Sequence, residues 1–163
     1  MRHLFFCLVG VVLLSGCTTS PLVDVEAEKA SVKKVVNQFD EALKTENMDL
    51  ISDIFSHDSK MIIFGTDEPE RWVGFDAFKD AVQKQFDRVD TREVTIRNRV
   101  VTVHESGKVA WFSKTMDWEV KVEDKVFKAD DLRYTGVLAK QDGKWVFVQL
   151  HASVPVEGQL VEY

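Results

Sequence analysis

The stretch 133-RYTGVLAKQDGKWVFVQLHAS-153 reads as two β-strands meeting at a turn signal, Asp142-Gly143. It mixes Val137, Leu138, Trp145, Val146 and Leu150 with Arg133, Thr135, Gln149, His151 and Ser153, so the polar side chains either face water or line a cavity. The register decides between groupings, because a slip of one residue moves every side chain of a strand to the opposite face. A two-residue turn at Asp-Gly would pair Arg133 with Ala152 and set Arg133 and His151 on opposite faces. A three-residue loop, Gln141-Asp142-Gly143, sets Arg133 opposite His151 and Thr135 opposite Gln149. It also gathers Leu138, Val146, Val148, Leu150 and Ala152 on the other face. That register segregates polar from aliphatic residues and is preferred for this reason.

Upstream, the same period of two recurs in segments 93–104, 109–122 and 126–140, with 144–154 as the fourth; Glu105-Ser106-Gly107 and Glu123-Asp124-Lys125 mark the intervening turns. Three-residue loops throughout would set Thr115 opposite Arg133 and Arg97 opposite Thr115. One sheet face would then collect Arg97, Arg99, Trp111, Ser113, Thr115, Asp117, Arg133, Thr135, Gln149 and His151. Before residue 90 the pattern is different. Val32, Val35, Val36, Phe39, Ala42 and Leu43 recur at helical spacing within 25–43, and a short second helix starts at Asn47, a good N-cap. KMIIFG (60–65) reads as a strand, TDEPERWVG (66–74) as a loop interrupted by Pro69, and Phe75, Phe78, Val82 and Phe86 as the stripe of a third helix. About three helices followed by an antiparallel meander predict an α+β domain over 25–155, its helices on one face of the sheet, with a tail at 156–163.

The N-terminus carries a separate message. Arg2 and His3 precede an apolar run from Leu4 to Leu14 and then Ser15, Gly16 and Cys17, the layout of a secretory signal peptide over 1–16. The run is well short of the roughly 20 residues that a spanning helix needs. Leu14-Ser15-Gly16-Cys17 resembles the lipobox of bacterial lipoproteins, which predicts cleavage before Cys17, lipid on its thiol and a short tether over 17–24. Cys7 is removed with the signal peptide, so no disulfide is expected. The formal charge of −6, without a Lys/Arg run, argues against nucleic acid as a partner. The expected place is the bacterial cell envelope, with the membrane reached through lipidated Cys17. In a Gram-negative host, Thr18 after the cysteine implies the outer membrane, facing the periplasm.

GKVAWFSKTMDW, RYTGVLAKQDGKW and HAS together resemble the SnoaL-like branch of the nuclear transport factor 2 superfamily over residues 25–155. The resemblance implies a cone, in which helices pack against a curved antiparallel sheet and leave a pocket on its concave side, and dimerisation through the sheet's other face. The scaffold hosts isomerases, dehydratases, polyketide cyclases and non-catalytic modules, so function has to come from the site. Where ketosteroid isomerases carry their chemical Tyr and Asp base, this chain has Phe39 and Ile63 or Phe64, which move no proton. The terminal hairpin is also similar to the association domain of calcium/calmodulin-dependent protein kinase two, an oligomerising module with arginines in its pocket.

The expected function is a lipid-anchored small-molecule-binding or assembly module, with Arg133, His151, Thr135, Gln149, Asp117, Trp111, Arg97, Arg99 and Trp72 as candidate ligand contacts and a carboxylate as the suggested ligand. The alternative is an acid/base enzyme of the cyclase, dehydratase or isomerase type using Asp117 or His151. A structural ion-pair network, with Asp117 or Glu119 neutralising Arg133, explains the same residues equally well. His57, His104 and His151 lack zinc spacing, and Asp67, Glu68 and Glu70 lack the ligand order of a calcium loop. No metal or cofactor is expected. A homodimer is expected, because the aliphatic face of the last hairpin would otherwise form a large exposed apolar patch.

Overall fold

The structure, a computed structural model, describes residues 23–156 and 158. The expected signal peptide, Cys17, most of the expected tether and most of the expected tail lie outside the described residues. The apolar stripe at helical spacing folds as α1 (Val25–Thr45), which buries Val32, Val36, Phe39, Ala42 and Leu43. Asp24 caps its first turn by accepting a hydrogen bond from the Ala27 N–H at 3.0 Å. Asn47 caps α2 (Met48–Ile54) in the same way through the Leu50 N–H, as the sequence predicts. Then come β1 (Ile62–Phe64), β2 (Arg71–Val73), α3 (Phe75–Phe86), β3 (Asp90–Val103), β4 (Val109–Val122), β5 (Lys125–Gln141) and β6 (Lys144–Ser153).

The six strands form one sheet in the order β2-β1-β6-β5-β4-β3. Two features depart from the expected antiparallel meander. β1 pairs with β6 in parallel, so the sheet is mixed. The segment expected to be only loop contributes β2, which pairs antiparallel with β1 from Arg71 to Val73; Pro69 stands just before the ladder and interrupts nothing.

The register is set by β-bulges rather than by loop length. The last hairpin closes on a two-residue turn, Asp142-Gly143, both at positive φ (48° and 82°), as the Asp-Gly pair favours. An extra residue on β6, Val148, then shifts the ladder between Val137↔Gln149 and Leu138↔Phe147. Arg133 consequently meets Ser153 and not His151, and Thr135 meets His151 and not Gln149. The same device acts three times more, at Arg92 near the start of β3 and at two places that bear on the predicted pairs. Residues 130–131, with Asp131 at φ 55°, bulge opposite Asp117, and residues 98–99, with Asn98 at φ 51°, bulge on β3. Each of these two bulges adds the residue that a longer loop would have added, so Thr115↔Arg133 and Arg97↔Thr115 pair as expected.

The polar grouping therefore survives, with one exception, but on the opposite side from that expected. Ala110, Phe112, Met116, Leu132, Tyr134, Leu138, Leu150 and Ala152 face the helices and are buried. Trp111, Ser113, Thr115, Asp117, Arg133, Thr135, Gln149 and His151 alternate with them on the convex face, where Arg133, Thr135 and His151 are exposed. The exception is Arg99, which the bulge at 98–99 turns inward onto α1. The aliphatic set is corrected as well: Leu138, Leu150 and Ala152 belong to the core with Trp145 and Phe147, and they form no free patch. Val146 pairs with Ala139 outside that cluster, and Val148 is the bulged residue.

Candidate functional site

Between the three helices and the concave sheet face lies a cavity of about 360 Å³. Phe39 and Leu43 of α1, Ile51 of α2, and Phe78 and Val82 of α3 wall one side; Trp118, Leu132, Tyr134 and Leu150 of the sheet wall the other. At its mouth the chain leaving β1 runs through Gly65, Thr66 and Asp67 and returns at Glu70 and Trp72. This turn is tied together by one side chain. Glu70 Oε2 accepts hydrogen bonds from the Thr66 N–H at 2.7 Å and the Asp67 N–H at 3.0 Å, while the Gly65 N–H donates to the Glu70 carbonyl at 2.8 Å. A Cβ on Gly65 would sit 2.8 Å from Glu70 Cβ, which explains the glycine there.

The lining is apolar except at identifiable points. Asp67 and Glu70 bring carboxylates to the mouth, Thr66 and Gln85 bring neutral polar groups, and no Lys, Arg or His among the described residues lines the cavity. Tyr134 is 8% exposed and its hydroxyl makes no hydrogen bond to a described residue. Arg99 Nε is the one sealed side-chain polar atom without a partner among the described residues, so the Tyr134 hydroxyl opens on the cavity instead. Burial pushes the Tyr134 phenol up, and the Asp40 and Glu70 carboxylates add to the effect, so it is a neutral hydroxyl at physiological pH. Behind Tyr134 and Phe39 sits Lys114, whose side chain is fully buried, with its ammonium 4.8 Å and 4.9 Å from the Phe39 and Tyr134 ring centroids. Lys114 and Arg99 both pair with Asp40 of α1.

Of the residues expected to touch a ligand, Trp72 alone lines this cavity. Arg97 binds Asp117 and Asp131 on the convex side, and the Asp131 N–H also donates to Asp117 at 2.8 Å. Asp117 is thus neutralised by Arg97, not by Arg133, and Arg133 has no ion-pair partner among the described residues. His151 lies outward against Phe64, ring centroids 5.8 Å apart, and the Arg71 guanidinium lies over the same Phe64 ring at 6.0 Å. Trp111, 46% exposed, borders a shallow depression on the convex face with Val100, Thr135, Val137 and Gln149. Sequence reasoning missed Tyr134, which a single register step decides, and Glu70, which reads as solvated charge until its turn is seen. The described residues hold no cluster of His, Cys, Asp or Glu suited to a metal ion, and no described helix is long and apolar enough to cross a membrane.

The SnoaL-like domain profile matches residues 32–157, which takes in every strand and all of the cavity wall. The chain belongs to the SnoaL-like domain family. Among solved structures, this SnoaL-like domain is similar to a nuclear transport factor 2-like superfamily protein from Salmonella enterica serovar Typhimurium, with 14% identity, TM-score 0.71, and 85% of this chain and 98% of the other covered. It is also similar to a Xanthomonas campestris protein provisionally assigned as a calcium/calmodulin-dependent protein kinase II association domain, at 19% identity and TM-score 0.64, covering 78% of this chain and 87% of that one. A third, from Streptomyces avermitilis, is provisionally assigned as a dehydratase of the same fold family, at 12% identity and TM-score 0.69, covering 80% and 98%. These likenesses establish the fold. No curated protein matches the chain.

The electrostatics of this SnoaL-like domain predict its acid limit. The Arg97 guanidinium, followed by the Asp131 N–H, holds the Asp117 carboxyl below its ordinary value. Hydrogen bonds from Lys140 and then Trp145 do the same for Glu28, which ties α1 to the last hairpin. Depressed carboxylates contribute stability that is complete above the ordinary carboxylate range, about 4, and is lost as pH falls through the folded-state values. Thermal melts between pH 7 and pH 3 should therefore show Tm falling steeply below about pH 4. Glu28→Gln should start lower and fall less steeply; a variant curve parallel to the wild type would show that Glu28 carries none of the effect.

Proposed function

We propose that the protein is a lipid-anchored small-molecule-binding module whose ligand occupies the concave cavity. The observation that carries the reading is the 360 Å³ apolar cavity into which the unpartnered Tyr134 hydroxyl opens, since its volume falls in the ordinary range of ligand sites and its lining has their apolar-with-few-polar-groups character. Binding is favoured over acid/base catalysis because Asp117 and His151, the expected proton carriers, belong to the convex face and do not line the cavity. The Leu14-Ser15-Gly16-Cys17 sequence supports attachment through an acylated Cys17 in the bacterial envelope, facing the periplasm from the outer membrane in a Gram-negative host. A second copy on the convex face is supported by Val100 and Trp111, 58% and 46% exposed beside one another.

Native mass spectrometry of the full chain, expressed in bacteria and extracted in detergent, tests the three parts in one spectrum. The expected species is a dimer of chains starting at an acylated Cys17, carrying a small-molecule adduct that Ala81→Phe, at the half-buried cavity rim, removes. A chain without acyl mass rejects the anchor, a monomer rejects the pairing, and an adduct absent from wild type or retained by Ala81→Phe rejects the cavity as ligand site. Trp111→Glu should convert the dimer to monomer while leaving the adduct in place.

A further inference from the structure

We propose that the cavity discriminates by charge, accepting an apolar, ring-sized molecule that carries a protonated amine and rejecting the corresponding carboxylate. The inference rests on the reading of the cavity as the ligand site, and it reverses the carboxylate expected from the sequence. Two independent observations carry it. First, among the described residues the charged groups lining the cavity are all of one sign: Asp67 and Glu70 line its mouth, as does Trp72. Glu70 commits Oε2 to the backbone of its own turn and leaves Oε1 without a partner among the described residues. A carboxylate beside an aromatic face is the pair of features that holds an ammonium group.

Second, Tyr134 is more than nine-tenths buried with its hydroxyl unpartnered, so the inner wall offers one neutral hydroxyl and no cation to an entering group. The nearest cations do not change this balance. Lys114 is sealed behind the Phe39 and Tyr134 rings and shares Asp40 with Arg99. Lys84 and Arg88 share an outer groove with Glu70, Trp72 and Asp80, and the Arg71 guanidinium lies over the Phe64 ring, 6.0 Å from its centroid, but none of these three cations lines the cavity. An anion entering the cavity would lose water, meet two carboxylates and gain one hydroxyl, whereas an ammonium stopped at the mouth keeps part of its hydration and gains both carboxylates.

The test uses three probes of one shape with the detergent-extracted full chain: 2-naphthylmethylamine, 2-naphthylmethanol and 2-naphthoate, with binding followed by quenching of tryptophan fluorescence. The amine should bind at least about tenfold more tightly than the carboxylate, the sum of several modest charge interactions, with the alcohol between them. Asp67→Asn combined with Glu70→Gln, which keeps an acceptor for the Thr66 and Asp67 N–H groups, should weaken the amine and strengthen the carboxylate until the three affinities lie within about threefold. If the carboxylate binds as tightly as the amine while Ala81→Phe abolishes binding of the alcohol, the charge discrimination is wrong and the cavity remains the ligand site. If none of the three binds, or Ala81→Phe leaves the alcohol bound, the cavity reading fails and the inference falls with it.

Discussion

Asp40→Ala should destabilise the domain by about 3–5 kcal/mol at pH 7, the cost of leaving buried charge without its partner. Asp40 is the one carboxylate shared by Lys114, whose side chain is fully buried on the concave face of β4, and Arg99, which the bulge at 98–99 turns inward. Burial, the largest influence on Lys114, lowers its amine below the ordinary lysine value, and Asp40 opposes that shift. Removing Asp40 leaves burial and Arg99, both of which push the amine further down. The sign of the pH dependence follows. A lysine with a depressed folded-state value binds fewer protons folded than unfolded, so stability rises with pH in the window between that value and about 10.4. The variant should therefore regain part of its loss between pH 7 and pH 10 in urea titrations. Lys114→Met in the Asp40→Ala background should recover stability, because an apolar chain of similar length no longer needs a counter-charge. A loss below about 1 kcal/mol, the size of an exposed pair, would mean that Lys114 is not held as described.

Phe147→Ala should cost a similar amount, about 3–5 kcal/mol, by a different route. Phe147, on β6, is completely buried and ties its strand to three other parts of the fold. Its ring stacks on Phe55 with centroids 4.9 Å apart, meets Phe39 at 5.5 Å and Phe112 at 5.6 Å, and its carbonyl accepts the Ser56 N–H at 2.9 Å. The ring joins α1, the end of α2 and two strands, so its removal opens a void that no single neighbour can close. Phe147→Leu should lose less, since it refills part of the volume. Unlike Asp40→Ala, Phe147→Ala should show a loss that is flat between pH 7 and pH 10, and a pH-dependent loss in chemical denaturation would contradict the packing account.

The layout of the chain was legible because it follows from local patterns: the stripe from Val32 to Leu43, the Asn47 cap, and period two from β3 to β6. β2 was hidden because three residues beside Pro69 carry too little pattern to separate a strand from a loop. The polar set around Arg133 was recognised as a group, yet two facts about it could not be read from periodicity. One is the bulge at Val148, which needs no glycine or proline and leaves no mark in the sequence, and which, on the two-residue turn, moves Arg133 from Ala152 to Ser153. The other is which sheet face the helices cover. Alternation separates two faces without naming them, and a face with Arg133, Thr135 and His151 meets water more readily than a cavity wall does. Arg99 shows the same limit at one residue, since Asn98 at positive φ reverses the parity of the strand beyond it.

The four tryptophans provide the most direct test of the cavity as ligand site. Trp72 and Trp118 line the cavity, Trp111 stands on the convex face, and Trp145 donates its indole N–H to Glu28 at 2.7 Å. Their indole N–H signals in a nitrogen–proton correlation spectrum report on both faces of the sheet at once. Titration with 2-naphthylmethanol, which carries no charge to bias the result, should move the Trp72 and Trp118 signals together and leave Trp111 and Trp145 in place. Movement of Trp111 with Trp72 and Trp118 unchanged would put the ligand on the convex face, with Arg133 and His151, and contradict the account.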